Sequence, residues 1–102
     1  FIENAPADGL NAFAWNILTR VQGENRDMEA AMKAAQKANE LTEGEDPSVL
    51  DTLALALFES GQVQAAIETQ QKAVDLAKDY PEAQEEFKER LQRYKDTLGE
   101  AI

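Results

Sequence analysis

The side chains of this 102-residue chain that could do chemistry are almost all carboxylates. The sequence has 20 Asp and Glu residues, no cysteine and no histidine. Thiol nucleophiles, imidazole general bases, disulfides and zinc sites built from Cys or His are therefore excluded. The carboxylate pairs that can be placed lie on exposed helical faces, where a perturbed pKa is not expected. We predict no catalytic residues and no cofactor, and we expect that the chain is not an enzyme.

One acidic segment, EGEDPSVLD, gathers Glu43, Glu45, Asp46 and Asp51 near the middle of the chain. Carboxylate oxygens are ligands that Ca²⁺ prefers. Their spacing does not fit the twelve-residue calcium loop, however, and Asp46 directly precedes Pro47, where it suits the N-cap of a helix. We therefore favour a solvated loop that caps a helix over a metal site, and predict no bound metal.

The net charge of the chain limits the classes of partner that it can bind. The formal net charge is −10, which argues against nucleic acid, whose phosphates require a basic surface. Anionic membranes would also repel the chain, and no stretch approaches the roughly 20 continuous apolar residues of a membrane span. Basic or neutral protein partners are favoured.

The elements that must position these side chains are predicted to be helices. Good helix formers dominate the composition, and only 5 glycines and 3 prolines are present. Breaks and caps divide the chain into five helices, over about residues 9–21, 28–41, 47–60, 63–78 and 81–99. Asp8, Asp27 and Asp46 are the predicted N-caps. The alternating LALALF run falls inside the third helix, because no turn signal precedes Gly61, and that helix must be buried on several sides. The composition and these helices predict an all-α domain.

The second pair of helices repeats the pattern of the first. Residues 10–18 align with 50–58 at an offset of 40, and residues 28–41 align with 63–76 at an offset of 35. The difference falls in the first loop between helices, where insertions are tolerated. Two helical hairpins of roughly 34 residues are typical of a helical repeat. An unrelated helical bundle is the alternative.

These residues resemble the tetratricopeptide repeat family. The first helix of each copy has the pattern large–x–x–large–small–x–x–large, and small residues stand where the second helix crosses it. The matching residues are Leu10, Phe13, Ala14, Ile17, Ala31 and Ala38 in copy one, and Leu50, Leu53, Ala54, Leu57, Ala66 and Ala73 in copy two. Gln70 and Ala35 stand where an aromatic residue is usual. Lys78 replaces the closing proline, which predicts that the fourth helix continues further.

The resemblance implies one α-solenoid domain over residues 1–102, with repeats at about 10–43 and 47–79 and a polar capping helix at about 81–99. It also implies a non-catalytic interaction module with a concave groove on the first helix of each repeat. The groove candidates are Asn11, Trp15, Thr19, Asp51, Leu55, Phe58 and Glu59. Trp15 is either the anchor of a bound segment or part of the core. Phe58 is predicted to be core, under the last helix.

The ligand that this resemblance implies is a protein or peptide segment. Asp51 and Glu59 stand where cations would hold a carboxylate, so we expect a basic or amphipathic segment rather than a carboxyl terminus. Self-association as a homodimer is an alternative, because two repeats have a small core.

The chain also resembles the C-terminal repeat segment of some bacterial thioredoxin-like (redoxin) proteins, through LNAFAWNILT and LDTLALALFESGQVQAAIETQQKAVDLA. This resemblance implies an accessory domain, cut from a larger enzyme that carries the redox cysteines elsewhere. It favours an extracytoplasmic bacterial location.

Overall fold

The computed structural model of the chain describes residues 5–20 and 26–101. Within these ranges the chain forms five α-helices and no strand: α1 (Ala5–Arg20), α2 (Met28–Leu41), α3 (Pro47–Glu59), α4 (Val63–Leu76) and α5 (Pro81–Ala101). The predicted all-α class is confirmed. None of the described helices is long and apolar enough to cross a membrane. The first loop between helices falls largely on residues 21–25, outside the described residues.

Side-chain caps fix the starts of α2 and α3. The Asp27 carboxylate accepts a hydrogen bond from the Ala30 backbone N–H at 2.9 Å. Asp46 accepts from the backbone N–H groups of Ser48 at 2.9 Å and Val49 at 3.4 Å, with proline in the first turn. Each cap satisfies N–H groups that have no partner within the helix. Both predicted caps are therefore confirmed.

The start of α1 differs from the prediction. The helix begins at Ala5 and not near Gly9, so Asp8 lies in its first turn instead of capping it. A carboxylate in the first turn is favourable there because it faces the positive end of the helix dipole. Pro6 is tolerated in the same turn, since the first N–H groups of a helix have no internal acceptor.

The end of α4 also differs, because the helix does not continue past Lys78. It ends at Leu76, and the Ala77 N–H closes the last turn on the carbonyl oxygens of Ala73 and Val74. Tyr80 precedes a proline, and a residue in that position is disfavoured in helical conformation. The chain therefore turns at 77–80 and starts α5.

The helices form two antiparallel hairpins, α1–α2 and α3–α4, followed by α5. Consecutive helices pack on one another along the whole chain, and α1 also contacts α3. The four predicted crossing positions, Ala31, Ala38, Ala66 and Ala73, are all fully buried. Alanine at these positions lets the helix axes approach closely. The predicted pair of repeat-like hairpins is confirmed.

The last helix docks on the second hairpin through an apolar stripe of Phe87, Leu91 and Tyr94. Phe87 and Leu91 pack in one cluster with Leu50 of α3 and with Ala73 and Val74 of α4. Tyr94, fully buried, joins a second cluster with Ala54 and Ala66. The same docking brings one flank of α5 alongside α3.

Candidate functional site

Three helices line an open groove of about 550 Å³. Its walls come from α1, from α3 with the residue before it, and from α5, while α2 and α4 contribute no lining residue. The side chains that line the groove are Asp8, Asn11, Ala12 and Trp15, then Asp46, Ser48, Asp51 and Thr52, then Ala83, Glu86, Phe87 and Arg90. Both hairpins and the last helix therefore build one surface.

A buried carboxylate, Asp51, ties α5 to α3 at the floor of the groove. It is 4% exposed, and its two oxygens accept from Nε and Nη2 of Arg90, each at 2.8 Å. The Gln70 amide donates to the same carboxylate at 2.8 Å and to the Phe87 carbonyl at 3.0 Å. A buried charge is stable only when it is paired and hydrogen-bonded, and here both conditions are met.

Arg90 also lies over the aromatic side chains of the groove. Its guanidinium carbon is 5.4 Å from the centroid of the Trp15 ring and 5.7 Å from that of Phe87, within range of cation–π attraction. Partial burial lowers the pKa of Arg90, but its hydrogen bonds to Asp51 and the charge of that carboxylate outweigh the burial and raise the pKa overall. The guanidinium therefore stays protonated and fixed in place.

The charged side chains of the groove are mostly acidic. Asp8, Asp46 and Glu86 line it together with the Asp51–Arg90 pair. Asp46 also caps α3, whereas none of the salt bridges among the described residues involves Asp8 or Glu86. In the part of the chain that the structure describes, no three carboxylates lie close enough to hold a metal ion. The arrangement offers a negatively charged rim around an aromatic floor.

Three of the predicted groove residues, Asn11, Trp15 and Asp51, line this groove together. Trp15 is partly buried, packing against the core on one side and facing the groove on the other. Thr19 lies one turn further along α1. It is exposed, and its hydroxyl donates to the Trp15 carbonyl at 2.7 Å.

Of the remaining candidates, Leu55 and Glu59 lie elsewhere, and neither lines the groove. Leu55 is 6% exposed and packs in the core with Leu18. Glu59 forms salt bridges with Arg26 at 2.9 Å and with Arg93 at 3.8 Å. The carboxylates that were expected to attract a basic ligand, Asp51 and Glu59, thus already have arginine partners. That reason for expecting a basic ligand is wrong, because both charges are compensated within the chain.

The contribution of α5 to the groove was missed. The sequence predicts only a polar capping helix here, but Arg90 of this helix bonds across to Asp51 of α3. The sequence does contain one indication of this contact. Arg90 follows Phe87 by three residues, so its side chain lies beside the apolar stripe of the helix. Phe58 lies under α5 as predicted, with its ring stacked on Tyr94 at 4.4 Å between centroids, but it is only partly buried.

Comparison with known proteins finds a similarity to a protein family over the second hairpin. Residues 47–80 match the family model of the tetratricopeptide repeat, and the match spans α3, α4 and the turn that follows. Searches of curated proteins and of solved structures found no match. Repeats of this family point to protein–protein interaction. The resemblance to the C-terminal segment of redoxin proteins stays a prediction.

Proposed function

We propose, from the tetratricopeptide repeat at residues 47–80, that this chain is a non-catalytic interaction module that holds a peptide segment of a partner in its groove. The first hairpin, at about residues 10–43, acts as a second, more divergent repeat, and α5 closes the stack. The observation that carries the proposal is the groove itself, because its walls come from both hairpins and α5, with Trp15 facing it. A partly buried Trp in such a place is a typical binding anchor.

The partner segment is basic or amphipathic. The attraction does not come from Asp51, which Arg90 compensates, but from Asp8 and Glu86 at the rim and from the overall charge of −10. An apolar side chain of the segment would pack on Trp15, while a Lys or Arg would reach the rim carboxylates. Such contacts favour a cationic segment over an anionic one and speed its association at low salt.

Trp15 is the single tryptophan of the chain, so its fluorescence reports on the groove. The test uses two short synthetic peptides with the same apolar pattern, one with lysine and one with glutamate at its polar positions. We expect the lysine peptide to change the Trp15 emission saturably and the glutamate peptide to bind far more weakly. Asp8→Asn and Glu86→Gln should each weaken the lysine peptide about two- to fivefold, the effect of a partly screened ion pair.

The matched control is Glu89→Gln. It removes the same charge from the same helix, but Glu89 is exposed and is not a groove residue. If Glu89→Gln weakens the lysine peptide as much as Glu86→Gln, the effect comes from net charge and not from the groove. Equal binding of the two peptides, or no saturable binding of either, contradicts the proposal.

A further inference from the structure

Among residues 5–20 and 26–101, no helix packs on one side of α1, and the first hairpin presents an apolar side chain there. Phe13 of α1 is 50% exposed. By the offset of 40 between the two copies, it corresponds to Leu53 of α3, which is partly buried against the cluster of Ala14, Ala34 and Ala35. The second copy of the repeat therefore shows which kind of element packs over the position that Phe13 holds in the first copy.

In the second hairpin the main covering element is α2. One stripe of α3 shares its apolar clusters with alanines of α2: Val49 with Ala38, Leu53 with Ala34 and Ala35, and Ala56 with Ala31. Each cluster also includes one buried residue of α1, which borders the same stripe. All four alanines are buried. A helix with small residues along one face thus fits against a stripe with one large apolar side chain at its centre.

The corresponding stripe of α1 is Gly9, Phe13 and Asn16, here called the α1 end face. All three residues are exposed. A methyl group added at Gly9 would meet no atom of the described residues within 4 Å, so the space beside Gly9 is open with respect to them. The end face therefore presents one large apolar side chain, between a glycine and an asparagine, at the position that Leu53 holds in α3.

We propose that the α1 end face binds an amphipathic helix of a partner protein, which presents alanines or other small residues as α2 does to α3. A second copy stacked head-to-tail does not supply this helix, because the outer side of α5 is exposed and charged through Glu82, Glu85 and Glu89. The charge of −10 on each copy further opposes self-association. The partner helix is therefore neutral or basic, and it binds outside the groove.

The probe is a synthetic peptide of residues 28–41, the sequence of α2 itself. A lactam between Glu29 and Lys33 keeps it helical. These side chains already form an exposed i,i+4 salt bridge at 3.0 Å, on the side of the helix away from the alanines. The peptide is titrated into the ¹⁵N-labelled full chain. We expect saturable shifts of the amide signals of Gly9, Phe13 and Asn16, and no shift at the groove residue Arg90.

Two variants test the contact. Phe13→Ser should weaken the peptide about tenfold or more, because it removes the central apolar side chain. Tyr80→Ser is the matched control, since Tyr80 is 64% exposed and distant in sequence from α1; it should leave binding unchanged. A peptide with Ala34 and Ala35 replaced by Glu should not bind. Circular dichroism checks that both variants of the chain stay folded.

Three results would overturn the proposal. The first is a peptide that does not bind, or binds Phe13→Ser as tightly as the original chain. The second is a set of shifts centred on Trp15 and Arg90, which would place the peptide in the groove. The third is a dimer that Phe13→Ser dissociates, measured by light scattering at the same concentrations, because a second copy would then be the occupant.

Discussion

The two hairpins share one pattern but bury different side chains. Apart from Leu18, the buried apolar residues that the structure describes in the first hairpin are all alanines: Ala7, Ala14, Ala31, Ala34, Ala35 and Ala38. The second hairpin buries larger ones among its alanines, Val49, Leu50, Leu55 and Val74, and it also buries Asp51, Thr52 and Gln70. It is this second hairpin that the family model matches.

The difference follows from the number of neighbours. The second hairpin lies between α2 on one side and α5 on the other, whereas α1 has one side free within the described residues. In a repeat array the stability of each unit includes the interfaces with its neighbours. A hairpin with one neighbour gains less stability from large apolar side chains. Its helices instead pack closely through alanines. Two of the polar residues that the second hairpin buries depend on α5 for their partners, because Asp51 pairs with Arg90 and Gln70 donates to the Phe87 carbonyl. Thr52 instead donates within α3, to the Ser48 carbonyl.

The largest expected effect comes from breaking that polar link. Asp51→Ala removes the acceptor of Arg90 and Gln70 and leaves a guanidinium and an amide facing a largely buried space. We expect a loss of about 3 kcal/mol in the free energy of unfolding, at the low end for a broken buried pair, because Arg90 regains some water. Urea denaturation followed by circular dichroism measures the loss, and Trp15 fluorescence should report the departure of Arg90.

The control for this substitution is Asp75→Ala. Asp75 is exposed on α4 and accepts one hydrogen bond, from Gln71. Its removal should change the free energy of unfolding by less than about 0.5 kcal/mol. If the two substitutions cost the same, Asp51 is not a structural link between α3 and α5.

The course of the chain was largely predictable from local signals. Asp27 and Asp46 mark helix starts, and Gly44 and Gly61, with φ of +72° and +88°, mark turns that need a left-handed backbone. The two errors at helix ends also had local causes. Pro6 is well tolerated in a first turn, so α1 begins before Asp8. At α4 the absence of a closing proline at Lys78 predicts an extension, but Pro81 disfavours helix at Tyr80.

The candidate site was only partly predictable, because its key contacts are distant in sequence. Asp51 and Arg90 are 39 residues apart, and a local pattern favours the i,i+4 pair of Arg90 with Glu86 instead. The buried carboxylate prevails, since leaving it unpaired costs far more than losing an exposed pair contributes. Gln70 was treated as a departure from the family pattern. Gln70 and Asp51 are both polar residues on apolar faces of helices that pack together. Such a pair indicates a buried hydrogen-bond network.

A smaller loss of stability should appear at high pH, where Tyr94 of α5 packs against the second hairpin. Burial, and next the charge of Asp51, raise the pKa of Tyr94 to about 12, from its ordinary value of 10.0. Below pH 10 both states keep the proton. Between pH 10 and 12 the unfolded state loses it while the folded state retains it, so stability falls as pH rises. The loss reaches on the order of 2 kcal/mol.

Tyr94→Phe isolates this loss. The Tyr94 hydroxyl has no hydrogen-bond partner among the described residues, so the variant should lose little stability at pH 7 and should keep the stacking on Phe58. Urea titrations from pH 8 to 11.5 would compare it with the original chain, and Tyr80→Phe serves as the exposed control. Parallel pH profiles for the original chain and Tyr94→Phe would contradict the prediction.

The smallest effect is expected at Phe13, and its contrast with Leu53 tests the comparison of the hairpins directly. Leu53→Ala removes a side chain packed on the α2 alanines and should cost about 1–2 kcal/mol, less than for a fully buried leucine. Phe13→Ala, at the equivalent position on the free side, should stay within about 0.5 kcal/mol. Urea denaturation of both variants measures the difference. An equal cost would mean that Phe13 is already packed in the free chain. In that case the first hairpin would have a covered side after all, and its alanine-rich core would need an explanation other than a missing neighbour.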